Sequence, residues 1–412
     1  MTRTEIINNL IKIYGYESYL EIGVDNPAIN FNRIICKEKT GVDPNPQARA
    51  TFQLTSDQFF SRIKKSYDII FIDGLHTEEQ AFRDIENALL RINAGGSIVC
   101  HDMNPTTKEM AAVPRIQGEW CGDVFKAWLK FRSMKDLTMH VLDTDYGVGI
   151  IRKGTQNPID LLWTPTYEEW SELKVKASNI IPIDLEPVSI CIPVFEQYGE
   201  GARTLKELLL TIRQLKGKFE VIVSDNSEGD KLQKICGMPA FKHLDLTYFK
   251  NPKKGVSANT NAAISKAKYN LIKPMYMDDL FLHPDAINQI AFALKFDHWV
   301  ACYGQSLNAS GRPERYRRPK YSEGIIGGQN TLGMPSVIAY RKNGIKFDTK
   351  LKTLLDCSFY YEMFQKYGEP GYLKQNLIGS RYWDKSTSRQ QGNLTQQELP
   401  IINKKHGLNL MA

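Results

Sequence analysis

Asp278 and Asp279 stand side by side, after a short strand-like run and before Leu-Phe-Leu-His-Pro-Asp, which opens a helix. Adjacent carboxylates are costly to hold together unless a cation neutralises them. A divalent ion there would stabilise negative charge developing on a leaving diphosphate. Two further groups sit where apolar runs end: Pro193, Val194 and Glu196 after one run, Asp225-Asn226 after the next. Ligands of open α/β sheets bind at such carboxyl ends, so both groups can reach one nucleotide pocket. In the first half, Glu21 and Gly23 form an acidic-glycine turn, and Asp43 ends a second run about twenty residues later. That spacing grips a nucleoside: the turn approaches the ligand and the later acid takes its ribose hydroxyls. An NAD site would need GxGxxG, and Gly23 stands without its companions.

The elements positioning these groups alternate between β-branched runs and helical periods, the pattern of parallel α/β folds. Strands are expected at 19–23, 40–43, 67–73 and 96–101. Ala81, Phe82, Ile85, Ala88, Leu89 and Ile92 recur at helical spacing, with Asn93-Ala-Gly-Gly as the stop. Residues 137–153 read as two strands joined by a tight Asp-Thr-Asp-Tyr-Gly turn. The pattern weakens over 154–186, which reads as a connector, and restarts with a strand at 188–193, a helix carrying Leu205, Leu208, Leu209, Ile212 and Leu215, and a strand at 219–224.

The chain has 412 residues, 42% hydrophobic and 24% charged, enough for two globular cores. Its seven cysteines are scattered and never spaced CxxC, against a zinc knuckle or disulfide framework and in keeping with a reducing compartment. The formal charge of +7 suits anionic ligands or peripheral contact with an acidic membrane face. Nucleic acid is disfavoured as a partner, because no basic-aromatic recognition array accompanies the charge. No apolar run approaches the roughly 20 residues of a membrane span. The N-terminus has no signal-peptide core, so the expected location is cytoplasmic, at most peripheral to the inner face of a membrane.

The ordered series VSICIPVFE, FEVIVSDNSEGD, KNPKKGVSANTNAAISKAK and MYMDDLF resembles the inverting glycosyltransferases of family 2, which have a GT-A fold. The resemblance runs from about Val188 to at least Arg389. It implies a nucleotide-sugar donor with Pro193, Val194, Glu196 and Asn259 at its pocket, Asp225 on the base, Asp278 on the ribose, and Asp279 on Mn²⁺ or Mg²⁺. The family's usual Asp-x-Asp-Asp has Tyr276 here in place of its first aspartate. GMPSVIAYRKNGIKFDTKLKTLLDC is similar to the family's acceptor region and makes Asp356 the candidate general base, with Asp348 as competitor. A carboxylate in a partly apolar site can be raised toward neutral pKa. Residues 253–259 suit a phosphate-facing turn or a solvated loop. Residues 311–321, GRPERYRRPKY, read from their prolines as a loop, either solvated or covering the donor diphosphate or a phosphate-bearing acceptor.

SDQFF, YDIIFIDGLHTEEQAFRDIENALLRINAGGSIVCHDMNP resembles class I SAM-dependent methyltransferases, in the branch that accompanies sugar and surface-polysaccharide biosynthesis. Over about 19–153 it implies Glu21 and Gly23 beside the methionine of S-adenosylmethionine, Asp43 on the ribose and Asp57 toward the adenine. Asp73, His76, His101 and Asp102 would face the acceptor; Asp73 and Asp102 would hold a divalent ion, or His101 would act as base. Asp25-Asn26-Pro27 replaces the small residues usual after Gly23, which leaves a non-catalytic scaffold open. The fold expected is therefore α/β in two domains, a doubly wound Rossmann-like methyltransferase fold over 1–153 and a GT-A fold over 187–400, joined by 154–186. The acceptor expected is a glycan or lipid-linked saccharide.

Overall fold

In the computed structural model the alternation resolves into two sheets, one in each of two compact units, Met1–Asp184 and Leu185–Ala412. The structure describes residues 1–160, 164–196, 199–308, 310–381 and 394–408; Arg389, to which the glycosyltransferase resemblance extends, lies outside the described residues.

The first unit opens with α1 (Arg3–Tyr14), which the sequence reading had not anticipated. Its start is a capping box, Thr2 and Glu5 exchanging side-chain and backbone bonds, and Gly15 ends it in the left-handed conformation. Then follow β1 (Ser18–Ile22), β2 (Glu38–Val42), α2 (Ser56–Arg62), β3 (Tyr67–Ile72), α3 (Glu78–Leu89), β4 (Ile92–Cys100), α4 (Val124–Arg132), β5 (Leu137–Leu142), β6 (Val148–Lys153), α5 (Tyr167–Ala177) and β7 (Ile180–Ile181). The sheet order is β2-β1-β3-β4-β6-β5-β7. β1 to β4 are parallel, and β5-β6 is the expected antiparallel hairpin. Asn93-Ala-Gly-Gly does not stop α3: the helix ends at Leu89 and these residues lie inside β4. Gly95 at positive φ and a register shift mark the irregularity that the glycines serve there. The stretch 154–186 supplies α5 and β7, and β7 pairs with β5.

The second unit contains β8 (Val188–Val194), α6 (Gly201–Ile212), β9 (Phe219–Asp225), α7 (Lys231–Cys236), β10 (Leu246–Lys250), α8 (Val256–Ser265), β11 (Leu271–Pro274), β12 (Asp279–Phe281), α9 (Ala286–Ala293), β13 (Trp299–Leu307), β14 (Pro313–Arg317), β15 (Ile338–Arg341), α10 (Leu355–Tyr367), β16 (Gly371–Arg381) and α11 (Leu394–His406). Its order is β10-β9-β8-β11-β15-β13-β16-β12, with β14 on β13. The first four strands are parallel, and the fully buried β8 reads as a continuous apolar run for that reason. The basic stretch expected as a loop contains β14. Pro313 opens that edge strand and Pro319 lies beyond its end, positions where a missing N–H costs no ladder bond.

Candidate functional site

In the first unit, β1 is flanked by β2 on one side and β3 on the other, so chain growth reverses at β1. The crevice beyond the carboxyl ends of β1 and β3 is where such sheets take ligands. Gly23 enters it at φ +84°, and a Cβ there would collide with the Asp73 carbonyl. Glu21 is buried; the Tyr19 hydroxyl and Asn30 Nδ2 (3.0 Å) both donate to its Oε2. Burial pushes the Glu21 carboxyl up to about 7, although both donors favour the charged form. Asp43 accepts from the backbone N–H of Asp25 (2.9 Å) and of Asn45 (2.8 Å), so it ties down the turn after Gly23. Asp57 is half-exposed on α2 and meets Gln80 (3.2 Å) and Arg83 (3.5 Å) of α3.

The four chemistry-bearing residues at the next strand ends do converge. His76 lies 3.3 Å from Asp73 and 3.3 Å from Asp102, while His101 Nδ1 is 3.1 Å from Asp102 and 3.4 Å from Asp73. Asp73, His76 and Asp102 each offer a ligand atom within 4.8 Å of the others. Two carboxylates and an imidazole suit a divalent ion, and His76 thereby joins the two expected acids. Burial works against charge at His76, but Asp73 and Asp102 outweigh it and raise its pKa. Burial likewise opposes ionisation of Asp73, yet the ring N–H groups of His101 and His76 beside it hold its carboxyl well below the usual range.

Arg3 of α1 and Asp145 of the β5–β6 turn complete the cluster, and neither was expected. Arg3 Nη1 lies 2.7 Å from His101 Nε2, and Asp145 accepts the Arg3 backbone N–H at 2.8 Å. Burial opposes charge at His101, but Asp73, Asp102 and Asp145 outweigh it and favour a charged imidazole. The guanidinium can only donate, however, so we read Nε2 as an acceptor and His101 as the neutral Nδ1–H tautomer. Asp102 and Asp145 both adopt positive φ, which aims two carboxylates into one place. Trp120 stacks on His76 at 5.0 Å, with Arg115 5.8 Å from its indole.

In the second unit, Pro193 and Val194 end β8 and Asp225 ends β9 at the same edge, registered Pro193 to Ser224 and Val194 to Asp225. Asp225 is fully buried and accepts from Tyr248 (2.6 Å), Lys250 (2.7 Å) and the Ser227 N–H (2.7 Å). Burial alone would raise its pKa, but Lys250 and the other donors win and keep it ionised. Glu196 Oε2 accepts the Ala202 N–H at the start of α6 (3.0 Å), and its Oε1 meets Lys231 at 3.4 Å. Asn259 is buried on α8: it donates to the Val194 carbonyl (3.0 Å) and accepts from Ser224 Oγ (2.6 Å). Its amide thus joins β8, β9 and α8. Gly255, at φ 108°, starts α8 from the 253–259 turn, and Lys254 donates to the Asn226 carbonyl (3.0 Å).

Asp279 opens β12 opposite Ser380 of β16 and is fully buried, whereas Asp278 is partly exposed. Burial and then the Asp278 charge push the Asp279 carboxyl up, while Ser336, Lys273 and Ser380 act the other way. Both Asp279 oxygens lack a hydrogen-bond partner of good geometry among the described residues. Such a carboxylate requires a proton or a cation, so the residue fits a divalent ion. Lys273 on β11, without any signal in the sequence, is buried close by and donates to the carbonyls of Ser336, Ile338 (3.2 Å) and Pro274 (3.3 Å). Burial pushes its ammonium down to about 8.

Asp356 stands in the first turn of α10, partly exposed, and accepts from Asn330 Nδ2 at 2.7 Å. Burial raises its carboxyl to about 6 against the donors that favour its charge, Cys357 and Asn330. Asp348 caps a turn by accepting from Lys350 N–H (2.9 Å) and pairs with Lys405 (3.3 Å), which lowers its pKa despite burial. Burial thus moves Asp356 toward neutral pH, whereas Asp348 is held below its usual range.

Residues 27–103 match the family model described as a methyltransferase domain, and residues 189–367 match that of glycosyl transferase family 2. Among solved structures, Staphylococcus aureus TarS 1-349 in complex with UDP aligns at 16% identity over 54% of this chain and 67% of that one, with TM-score 0.40. The longer S. aureus TarS structure aligns at 16% identity over 55% of this chain but 41% of that chain, with TM-score 0.40. A mannosyltransferase of Pyrobaculum calidifontis, PcManGT with GDP-Man and Mn2+, aligns at 14% identity over 56% and 66%, with TM-score 0.38. No curated protein matches the chain. Among the described residues no helix is long and apolar enough to cross a membrane.

Proposed function

We propose that this chain, whose second unit carries a family 2 glycosyltransferase domain and whose first carries a methyltransferase-like domain, glycosylates and O-methylates a surface glycan. In the second unit, the edge of Pro193, Val194 and Asp225 receives the nucleotide, with Asp278 toward the ribose. Asp279 would hold Mn²⁺ or Mg²⁺, which when bound neutralises the leaving diphosphate. The acceptor hydroxyl oxygen forms the new bond to the anomeric carbon as the sugar–phosphate bond breaks. Its proton passes to Asp356, the nucleoside diphosphate departs, and the configuration inverts. The observation that carries this reading is the family match over 189–367 together with Asp356, an acid raised to about 6 whose partner Asn330 lines a cavity.

In the first unit, Glu21, Gly23, Asp43, Asp57 and Asp73 border the place for S-adenosylmethionine, which when bound supplies an electrophilic methyl group. Asp73, His76 and Asp102 would hold a divalent ion over the acceptor hydroxyl, with Trp120 offering a flat face to a sugar ring. His101, neutral in this arrangement, would take the hydroxyl proton only if Arg3 turned away from its Nε2. A second reading, a scaffold without methyl transfer, is favoured by Asp43, whose oxygens already hold the Asp25 and Asn45 N–H groups.

The test is thermal unfolding of the full chain with S-adenosylhomocysteine, and separately with UDP or GDP plus Mn²⁺. A ligand at a hundredfold its Kd stabilises its domain by about 2.7 kcal/mol. Stabilisation by both supports two working sites. Nucleotide plus Mn²⁺ alone selects the scaffold reading, and no effect of either nucleotide removes the donor assignment.

A further inference from the structure

Beside Asp356 a cavity of about 520 Å³ opens between β14 and the 330–333 segment. Its walls carry Arg315, Arg317 and Arg318 against one acid, Glu314. Arg317 is oriented by its bond to Ser306 Oγ at 2.7 Å, while Arg315 and Arg318 are exposed. Asn330 and Gly333 line the opposite wall. Asn330 Nδ2 donates to Asp356 at 2.7 Å and to the Gly333 carbonyl at 3.0 Å, so one side chain belongs to both the cavity and the acid. Ser306 is registered with Ser380 and Ser380 with Asp279, which puts the cavity on the same sheet row as Asp279. Two strand spacings separate them, about 10 Å. Tyr316, 63% exposed, adds an aromatic face.

Three guanidinium groups with one opposing carboxylate select an anion, and their forked donors match phosphate oxygens. An aromatic face suits the apolar side of a sugar ring. From this juxtaposition we infer that the cavity is the acceptor site and that the acceptor is a phosphate-bearing sugar. Its phosphate is held by Arg315, Arg317 and Arg318, and its hydroxyl is turned toward Asp356. The inference rests on Asp356 being the base of the transfer proposed above. The shared chemistry covers a soluble sugar phosphate and a lipid-borne phosphodiester.

Titrating the full chain with glucose 1-phosphate, methyl glucoside and inorganic phosphate, and in parallel with UDP plus Mn²⁺, tests this. Glucose 1-phosphate is expected to bind at least about tenfold more tightly than either methyl glucoside or inorganic phosphate. The exposed-site double variant Arg315→Gln/Arg318→Gln should lose at least about tenfold of that affinity and leave the UDP–Mn²⁺ affinity unchanged. Equal binding of the phosphorylated and plain sugars overturns the inference, as does an unaffected double variant. Inorganic phosphate binding as well as glucose 1-phosphate would leave an adventitious ion only. A fall in UDP–Mn²⁺ affinity in the variant would assign the arginines to the donor and overturn it too. Flotation with phosphatidylglycerol vesicles separates the sources: flotation lost in the double variant supports a lipid-borne acceptor, and none, with glucose 1-phosphate still bound, supports a soluble one. Should wild-type protein bind neither UDP nor GDP with Mn²⁺, the donor reading fails while the glucose 1-phosphate arm still decides this one.

Discussion

At the scale of single residues, burial sets the chemistry of two carboxyls. Asp356, raised to about 6, is half ionised near that pH, so transfer should fall as pH drops through 6 and level off above about 7. Asp356→Asn keeps the shape and removes the base. We expect sugar transfer to fall by about 10²–10⁴ with the Kd for UDP plus Mn²⁺ unchanged. Turnover within a few-fold of wild type would return the role to another acid. Glu21 is buried, and its pKa rises from 4.5 unfolded to about 7 folded. Below pH 4.5 both states hold the proton; between 4.5 and 7 the unfolded chain releases it first. The stability that the neutral Glu21 carboxyl contributes is therefore lost as pH climbs through that window and is constant above it. The loss amounts to about 3 kcal/mol, at about 1.4 kcal/mol per pH unit. Glu21→Gln can still accept from Tyr19 and Asn30 without ionising. Urea unfolding of the first unit at pH 4.5 and pH 7.5 should show the Gln variant gaining about that much on wild type at the higher pH. Equal gaps at both pH values would mean that Glu21 is not held neutral.

At the scale of elements, the nucleotide edge depends on how β8, β9 and α8 are fastened together. Asn259 is buried and uses both ends of its amide, on Val194 O and Ser224 Oγ. Asn259→Ala takes the acceptor from Ser224 Oγ and leaves the Val194 carbonyl only the Asn226 N–H, so a loss of about 1–3 kcal/mol is expected in the unfolding of the second unit. An effect under about 0.5 kcal/mol would show that water replaces the amide. The parallel strands could be read from the sequence because burial on both faces writes them as apolar runs, as in β8. The β5–β6 hairpin was legible from its Asp-Thr-Asp-Tyr-Gly turn. β14 was not, because the prolines that signal a loop also mark the ends of an edge strand. α1 was not legible, although its capping box, Thr2 with Glu5, is present in the sequence. The acids that end apolar runs were visible as such in the sequence. Arg3, Asp145, Lys273 and Asn330 were not, since each reaches its partner from far along the chain and has no motif of its own.

At the scale of the whole molecule, the question is where the first unit stops. The fading pattern after residue 153 suggested a connector, yet contact within the chain assigns Met1–Asp184 to one unit. Two features of that stretch bear on stability. β7 hydrogen-bonds to β5, with Val141 opposite Ile180 and Leu142 opposite Ile181. Trp170 of α5 is 1% exposed, 4.3 Å from the Phe125 ring, and donates its indole N–H to Ser178 at 2.9 Å. Trp170 closes a small cluster with Ala111, Phe125 and Leu129, on the segment that follows the His101-Asp102 turn. We therefore propose the boundary at 184/185 and expect a 1–184 fragment to unfold cooperatively. A fragment ending at 153 exposes Phe125, Leu129 and the edge of β5. Losing a buried tryptophan alone costs about 3–5 kcal/mol, comparable with the stability of many domains, so the shorter fragment should be largely unfolded or aggregate. Far-UV circular dichroism during heating separates the cases. If 1–153 melts as cooperatively and as high as 1–184, then α5 and β7 are attachments, and the Trp170 cluster contributes nothing to the arm carrying Trp120 over His76.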